Sequence, residues 1–341
     1  MAFAPIRTER LLLRAPRSDD ADALFERRNH PDVASLQDWE TPYSREKAEN
    51  LIESCIEQGG PADEEWWMIT IADPDDTEVI GDLALHMGNG MRTAEVGYTL
   101  AREHWGQGYA VEALDALLDH LFETYPVTRI FGMLHPDNRA SAQVLERTGF
   151  LFEGHTRLSY WIGDDNSDDW VYGLLRGDRE AWNKRPRTRP AEVRLVEVAQ
   201  DNVVEVLALA THKSQESFVA PMGKSLAQAL VGYVEDDGTV VDPWYRAIAA
   251  DGDLAGFVMV ALRGEQEPFL WRLLIDRMHQ RRGVASMAMD LVEDEMRSRG
   301  HDSLLTSYHP GRGSPEPFYL ARGYEPTGDM EGEEIVARKA L

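Results

Sequence analysis

Apolar and polar residues alternate along the chain in a pattern that predicts the same succession of elements twice. In the first half, Val96, Tyr98 and Leu100 alternate with smaller or polar residues at the period of a strand. The apolar residues of segment 113–121 recur at the period of a helix. A glycine-rich stretch, Trp105–Ala110, separates the two patterns. We therefore predict a strand, a tight turn and the start of a helix here.

The same patterns predict a sheet with helices in each half of the chain. Further strands are predicted in the first half at Ile6–Arg14, Trp66–Ala72, Val79–Met87, Arg129–Leu134, Thr156–Ile162 and Trp170–Leu175. In the second half they are predicted at Val193–Val196, Tyr245–Ala249, Leu254–Ala261, Phe269–Ile275 and Ser303–Ser307. The fold class predicted from these patterns is α/β (α+β), with mixed sheets and helices packed on them.

The two halves repeat in register. Gly283 lies 175 residues after Gly108, and Gly323-Tyr324 lies 174 residues after Gly149-Phe150. Two unrelated turns would not keep this register over so long a distance, so the chain is predicted to be a tandem repeat of one fold. The predicted domains are residues 1–176 and 193–341. Segment 177–192, which is basic and carries Pro186 and Pro190, is predicted to be an extended linker.

A glycine-rich turn that leads from a strand into a helix can bind an anion. Residues without side chains let successive backbone N–H groups point at one place, and the helix N-terminus adds partial positive charge. Glycines between a strand and a helix also occur as ordinary turn residues. The repetition at Gly283 favours the binding function, and the ligand that this geometry suits is a pyrophosphate.

Both halves resemble the GNAT superfamily of acyl-CoA-dependent N-acyltransferases. Its signature is Arg or Gln, two residues, Gly, one residue, and Gly or Ala, which the second half matches as Gln280-x-x-Gly283-x-Ala285. The first half departs from the signature by having Trp105 in the leading place. The resemblance implies two tandem domains, each with a mixed, mostly antiparallel sheet whose central strands splay apart.

The halves are similar to different branches of this superfamily. The first resembles the ribosomal-protein-alanine acetyltransferase type at Arg10–Arg14, His104–Ala110, Asn138–Ser141 and Gly149-Phe150. The second resembles the diamine/spermidine acetyltransferase type at Ser217–Ala220, Ser225–Ala229, Leu270–Asp276 and Phe318-Tyr319.

The resemblance implies acetyl-CoA as the cosubstrate and assigns it two sets of binding residues. The first set is Tyr98, Thr99, Leu100, Trp105, Gly106, Gln107, Gly108, Tyr109, Ala110 and Asn138. The second set is Leu273, Leu274, Ile275, Gln280, Arg281, Arg282, Gly283, Val284 and Ala285. The second half has Gly311-Arg312-Gly313 where the first has Asn138, so this contact is expected only in the first half.

Acetyl transfer needs a proton for the departing thiolate and a neutral amine. In the family a tyrosine four residues before the Gly-Phe turn donates the proton, and Tyr319 holds this place in the second half. Leu145 holds it in the first half and cannot donate a proton, and the resemblance points to Ser141, one helical turn earlier. The Ser141 hydroxyl could equally bond the backbone at the helix start.

The sequence identifies the general base less clearly than the general acid. Glu95, on the central strand, is the candidate in the first half, and an ordered water is an alternative. Glu216 and Glu267 are candidates in the second half, where Arg272 is expected to bind an acidic neighbour. In the wall of the first cleft, His30, Trp39 and Tyr43 are candidate substrate contacts, although ordinary packing explains such residues equally well.

Composition narrows the range of partners. Sixty acidic and 35 basic residues give a net charge of −25, which argues against nucleic acid and suits a cationic substrate. Most of this charge, including segment 329–334, is predicted to be solvated loop surface. A single cysteine, Cys55, excludes an intramolecular disulfide, and no metal-ligand spacing is present. Without an apolar run of about 20 residues, no membrane span is expected, and the predicted location is the cytoplasm.

The sequence therefore predicts a tandem acetyl-CoA-dependent N-acetyltransferase that acts on a small amine, either polyamine-like or an amine-bearing antibiotic. A role in antibiotic resistance and a homodimeric assembly are part of this prediction. Acetylation of a protein N-terminus is the alternative within enzymes. A regulatory protein that binds acyl-CoA without turnover is the alternative outside enzymes, and the retained donors Ser141 and Tyr319 favour an enzyme.

Overall fold

The chain folds into two compact units, Met1–Lys184 (unit 1) and Arg185–Leu341 (unit 2). The computed structural model describes residues 3–37, 39–162, 165–231, 233–234, 238–311 and 313–341. Each unit has its own sheet with helices packed against it.

Unit 1 forms a sheet of eight strands in the order β1-β2-β3-β4-β5-β6-β8-β7. The strands are β1 Ile6–Arg7, β2 Leu12–Arg14, β3 Trp66–Ala72, β4 Val79–Gly88, β5 Thr93–Leu100, β6 Arg129–Leu134, β7 Leu151–Ile162 and β8 Asp165–Leu175. The helices are α1 Ala21–Asn29, α2 Pro31–Ala34, α3 Arg45–Gln58, α4 Tyr109–Thr124, α5 Arg139–Arg147 and α6 Arg176–Lys184.

Unit 2 repeats this architecture with a second eight-stranded sheet, ordered β10-β11-β12-β13-β14-β16-β15, in which β9 also pairs with β11. The strands are β9 Val193–Val196, β10 Tyr233–Val234, β11 Val240–Ala250, β12 Asp253–Leu262, β13 Phe269–Ile275, β14 Ser303–Tyr308, β15 Glu325–Glu331 and β16 Glu334–Ala340. The helices are α7 Val203–Ala208, α8 Met222–Val231, α9 Val284–Ser298 and α10 Glu316–Ala321. The predicted α/β class with two mostly antiparallel sheets is confirmed.

The central strands of each unit run parallel and separate after a few residues. In unit 1, β5 and β6 pair only from Thr93 with Arg129 to Glu95 with Phe131. In unit 2, β13 and β14 pair only at Phe269 with Leu305 and at Leu270 with Thr306. Beyond these pairs each sheet has a gap between its two central strands, where a ligand can reach backbone groups at the strand edge.

The helix that follows the central strand is anchored by the apolar stripe predicted from sequence. In α4 the side chains of Ala113, Leu114, Leu117, Leu118 and Leu121 are fully buried. In α9, Ala288, Met289, Val292 and Met296 are equally buried. Because one face of each helix is fixed in the core, its N-terminus is held rigidly at the end of the central strand.

The structure corrects the predicted linker, because residues 177–184 belong to helix α6 of unit 1. Trp182 is 7% exposed, and a Cβ at Gly149 would lie 2.7 Å from its ring, so the glycine makes room for the indole. The buried Arg179 donates to Asp115 (2.7 Å) and Asp119 (2.9 Å) on α4. The sequence pattern missed this helix because only Trp182 and the aliphatic part of Arg179 face the core.

We expect Trp182→Ala to lower the free energy of unfolding of unit 1 by about 3–5 kcal/mol, the usual cost of truncating a buried tryptophan. Urea unfolding followed by circular dichroism measures this change. The control is Trp66→Ala in the same unit, where the side chain is 51% exposed, with an expected loss of about 1 kcal/mol or less. Equal stability of Trp182→Ala and wild type would mean that α6 does not pack as described.

Candidate functional site

The turn between β5 and α4 in unit 1 presents unpaired backbone N–H groups. Gly106 (φ 77°) and Gly108 (φ 85°) both adopt the left-handed conformation that favours glycine. The first backbone bond of α4 runs from Glu112 N to Gly108 O (3.1 Å). Within the described part of the chain, the N–H groups of residues 107–110 have no acceptor. They form a cradle for an anion at a helix N-terminus.

The corresponding turn in unit 2 has the same backbone geometry. Gly283 (φ 82°) stands where unit 1 has Gly108, and Arg281 takes up φ 60° where unit 1 has Gly106. The Gln280 side chain donates to Ile275 O (3.1 Å), the carbonyl of the last residue of β13. In unit 1 the Trp105 indole donates to Leu100 O (3.0 Å) in the same way. Tryptophan therefore replaces the glutamine of the signature without loss of the bond that fixes the turn.

The two arginines in the unit 2 turn have different environments. Arg281 is exposed and lines the cleft of this unit, so its side chain is available to a phosphate. Arg282 is buried and donates to Thr188 O (2.8 Å) and to His279 Nδ1 (3.1 Å). Burial lowers the pKa of His279, which keeps the imidazole neutral and able to accept this bond. Only the backbone of Arg282 is thus placed to meet a ligand.

In unit 1 the candidate acid Ser141 is bonded to Tyr98, which the sequence had suggested only as a cofactor contact. The Tyr98 hydroxyl lies 2.8 Å from Ser141 Oγ and donates to Ser141 O (2.7 Å). Burial raises the pKa of Tyr98, although its bond to Ser141 acts in the opposite direction. The Tyr98–Ser141 pair therefore joins the central strand to α5 through two protonated hydroxyls.

Asn138 is the N-cap of α5. Its side-chain oxygen accepts from Ser141 N (3.1 Å), which fixes the first turn of the helix and with it the Ser141 side chain. The amide nitrogen of Asn138 is left to donate to a ligand.

In unit 2 the candidate acid Tyr319 is 7% exposed at the place where the central strands separate. Its ring stacks on Tyr308 with centroids 6.0 Å apart, and its hydroxyl bonds to Thr306, a residue of the last parallel pair. Burial raises the pKa of Tyr319 to about 12, opposed by the Thr306 bond and helped by the charge of Glu334. The phenol is therefore protonated at neutral pH, as a proton donor must be.

A cleft of about 980 Å³ connects these groups in unit 2. It is lined by the turn and first residues of α9, by the edge of β13 and by Tyr319. Four carboxylates also line it, namely Glu216, Glu331, Glu333 and Glu334. One cleft therefore contains an anion cradle, a proton donor and acidic side chains.

The three candidate bases, Glu95, Glu216 and Glu267, lie in different surroundings. Glu95 is half-buried on β5 at the last parallel pair with β6, and unit 2 has Leu270 at this place. Glu216 lines the unit 2 cleft and binds Lys213 (2.6 Å). Glu267 binds Arg338 (2.6 Å) and is not among the residues that line the cleft.

The sequence expectation for Arg272 needs correction. Arg272 donates to Gln228 (2.9 Å) and to Trp271 O (2.6 Å), and among the described residues no carboxylate lies within ion-pair distance of it. Burial lowers its pKa, opposed by the charges of Glu334 and Glu331. Arg272 therefore belongs to the cleft wall and is not the partner of one acid.

The candidate substrate contacts of unit 1 support one another. The Arg28 guanidinium lies 4.6 Å from the Trp39 ring and 4.8 Å from the Tyr43 ring, and it donates to the Tyr43 hydroxyl (3.0 Å). His30 Nδ1 accepts from Asp32 N at the start of α2. These contacts within the protein account for the positions of His30, Trp39 and Tyr43.

Sequence reasoning missed the group formed by Ser307, His309 and Glu334. Ser307 Oγ donates to a carboxylate oxygen of Glu334, and His309 Nε2 lies 3.6 Å from the other oxygen. The acidic run from 329 to 334 is predicted from the sequence to be a loop, and this prediction is wrong. The run belongs to the hairpin of β15 and β16, whose turn lines the cleft. The signal in the sequence was the apolar run Ile335-Val336-Ala337 after Glu334, whose two β-branched residues favour a strand.

Comparison with known proteins gives the class to which this fold and site belong. Residues 10–151 match the model of an acetyltransferase (GNAT) domain, and residues 223–324 match that of the acetyltransferase (GNAT) family. The chain is 33% identical over 173 residues to an uncharacterized N-acetyltransferase, p20, of Bacillus licheniformis, covering 50% of this chain and 94% of that protein. The chain therefore belongs to the GNAT acetyltransferase family, carries two of its domains, and uses acetyl-CoA as acetyl donor.

Two further matches are to a ribosomal-protein acetyltransferase and to a solved acetyltransferase structure. The chain is 34% identical over 84 residues to a ribosomal-protein-serine acetyltransferase of Escherichia coli, covering 25% of this chain and 47% of that protein. A solved GNAT acetyltransferase of Bacillus anthracis is 25% identical, with a TM-score of 0.46, and the match covers 50% of this chain and 98% of that one. These relatives leave the acceptor undetermined.

The described residues contain neither a membrane-spanning helix nor a group of side chains suited to a metal ion. Over this part of the chain, no helix is both long and apolar enough to cross a bilayer. No group of three or more His, Cys, Asp or Glu side chains in the same residues could hold a metal ion. The cytoplasmic location and the homodimer stay predictions.

Proposed function

We propose that the protein transfers acetyl groups to a primary amine of a small cationic molecule, polyamine-like or an amine-bearing antibiotic, and that unit 2 carries this activity. The observation that supports the proposal is the unit 2 cleft, which is lined by the anion cradle at Gly283, by Tyr319 and by Glu334. The Glu334 side chain is partly shielded from solvent, so its charge attracts an ammonium more strongly than an exposed carboxylate would.

Among the described residues, the N–H groups of residues 281–284 in unit 2 have no acceptor, like those of 107–110 in unit 1, and both sets fit the pyrophosphate of acetyl-CoA. In unit 2, we assign this role to the backbone of residues 280–285 and to the Arg281 side chain, with the edge of Leu273–Ile275 facing the pantetheine arm. In unit 1 the corresponding residues are 105–110, Tyr98–Leu100 and Asn138. Acetyl-CoA supplies a thioester whose acyl carbon the amine attacks.

Tyr319 in unit 2 and Ser141 in unit 1 complete the reaction by donating a proton to the departing thiolate. As the amine nitrogen bonds to the acyl carbon, the carbon–sulfur bond breaks and the thiolate takes the hydroxyl proton. Tyr98 holds the Ser141 hydroxyl in place for this transfer. Glu95, at the point where the strands separate, is the proposed base in unit 1.

A protein N-terminus is the second candidate acceptor, for unit 1 alone. The relative that favours it is the ribosomal-protein-serine acetyltransferase, which matches 84 residues of the chain. Acetylation of a peptide by unit 1 and of a small amine by unit 2 would mean that the two units differ in substrate.

Release of the CoA thiol from acetyl-CoA tests the function. The panel contains polyamines, aminoglycosides and short peptides, and the proposal expects release with polyamines or aminoglycosides. Thiol release with peptides alone would contradict it. Activity on aminoglycosides is also required for the predicted role in antibiotic resistance.

We expect Ser141→Ala to lower turnover by unit 1 about 100-fold, since this is the usual contribution of a general acid. The measurement is thiol release in a chain whose unit 2 is silenced by Tyr319→Phe. Tyr98→Phe should lower the rate less, because the Ser141 proton remains but its position is less defined. Ser35→Ala is the control, since its hydroxyl is exposed at the C-cap of α2 and, among the described residues, donates only to Asp32 O (3.0 Å). An unchanged rate in Ser141→Ala would exclude the serine as the acid.

A further inference from the structure

The carboxylate of Glu334 lines the unit 2 cleft and is held there by hydrogen bonding. Glu334 is the first residue of β16, and its neighbour across the sheet is the end of β14. Ser307 on β14 donates a hydrogen bond to one of its oxygens, and the side chain is 33% exposed. This bond fixes the carboxylate in one orientation, while the cleft gives a ligand access to it.

Glu334 differs from the other carboxylates of the unit by its position relative to the acid. It lines the same cleft as Tyr319 and Arg272, and its charge acts on the pKa of both. Glu333 is exposed at the turn, and Glu216 binds Lys213 (2.6 Å). Among the cleft carboxylates, Glu334 thus combines a fixed orientation with proximity to the place where the thiolate is protonated.

We propose that Glu334 binds the ammonium of the acceptor in unit 2 and removes a proton from it before acetyl transfer. The proposal rests on the proposed function and names the group that makes the amine reactive. A primary amine is mostly protonated at neutral pH, and only its neutral form can attack a thioester. The fixed carboxylate selects a primary alkylamine as acceptor, because the ammonium of such a molecule can donate to a single carboxylate.

The protons balance across the reaction. The ammonium loses two protons when it becomes an amide. One goes to the Glu334 carboxylate and from there to solvent. The other returns to Tyr319, which has given its own proton to the sulfur as the carbon–sulfur bond breaks. The products are the acetylated amine, the free thiol and one released proton.

Charged and titratable groups from several elements face Glu334. From β13 the facing group is Arg272, from the end of β14 it is His309, from α10 it is Tyr319, and from its own turn they are Glu331 and Glu333. His309 is the alternative base within this set, because its Nε2 lies 3.6 Å from the carboxylate.

The test compares Glu334→Gln with Glu333→Gln in the full chain, with unit 1 silenced by Ser141→Ala. Both variants remove one negative charge from the same turn, and only the first removes the fixed carboxylate. We expect Glu334→Gln to lower kcat/KM for the best amine of the panel about 100-fold. Glu333→Gln should change kcat/KM less than about threefold, as for one exposed charge.

Binding is measured separately, by calorimetric titration of spermidine into the CoA-loaded chain. We expect wild type and Glu333→Gln to bind spermidine and Glu334→Gln to bind it at least about tenfold more weakly, the loss of one charge-assisted bond. Equal kinetics and binding in the two variants would overturn the role of Glu334 while leaving the proposed function in place. If His309→Asn showed these losses while Glu334→Gln remained active, the base would be His309 and not Glu334. A wild type that neither releases thiol nor binds spermidine overturns this proposal together with the proposed function.

Discussion

Tyr319→Phe is expected to leave the affinity of unit 2 for CoA unchanged and to lower its acetyl transfer about 100-fold, the scale on which a general acid contributes. The change removes one oxygen and keeps the ring, which packs against Tyr308 and Tyr324 with centroids 6.0 and 5.4 Å apart. Stability and the shape of the cleft should therefore be preserved. Thiol release measures turnover, and calorimetry measures CoA binding.

The pH profile gives a second readout for the same residue. Because the pKa of Tyr319 is raised to about 12, the phenol keeps its proton throughout the range in which the enzyme is assayed. The wild-type rate should accordingly show no decline on the alkaline side below about pH 10, two pH units short of that pKa. A decline near neutral pH would indicate a different proton donor.

Tyr308→Phe is the matched control. Its hydroxyl is buried and, among the described residues, has no hydrogen-bond partner, so its removal costs no bond. The two variants alter neighbouring rings of one aromatic cluster by the same atom. Equal turnover in Tyr319→Phe and Tyr308→Phe would exclude Tyr319 as the acid.

The cofactor turns could be predicted from the sequence because their chemistry is local. The position of Gly108 after a strand and before an amphipathic helix is enough to predict a cradle of N–H groups, and its repetition at Gly283 excludes chance. The α/β class followed from the same periodic patterns. Even Trp105, which departs from the signature, keeps the bond to the strand end that Gln280 makes.

The rest of the site depends on contacts between residues far apart in the sequence. Tyr98 and Ser141 are 43 positions apart, and Ser307 and Glu334 are 27 apart, so neither pair leaves a pattern in the chain. Glu334 also lies in an acidic run whose composition alone suggests a solvated loop. Helix α6 was missed for a related reason, since its anchors Arg179 and Trp182 meet α4 and Gly149 only after folding.

Gly283→Val is expected to lower the affinity of unit 2 for CoA at least about tenfold and to leave unit 1 unaffected. At φ 82° a β-branched residue is strained by about 1–3 kcal/mol, so the turn shifts toward a conformation in which its N–H groups diverge. The new Cβ would lie 3.8 Å from Arg189, at ordinary contact distance, so crowding within the protein is not the cause. The loss arises because the backbone can no longer approach the pyrophosphate.

Gly300→Val separates this effect from backbone strain in general. Gly300 follows the C-terminus of α9, the same helix that Gly283 begins, and has nearly the same φ of 89° with no atom near its would-be Cβ. Both variants should lower the melting temperature to a similar extent, while only Gly283→Val should weaken CoA binding. Calorimetry on the full chain counts the sites directly: we expect two CoA molecules per chain in wild type and Gly300→Val, and one in Gly283→Val. Two sites of unchanged affinity in Gly283→Val would mean that the turn before α9 does not hold the pyrophosphate, and the cleft that begins there would need another ligand.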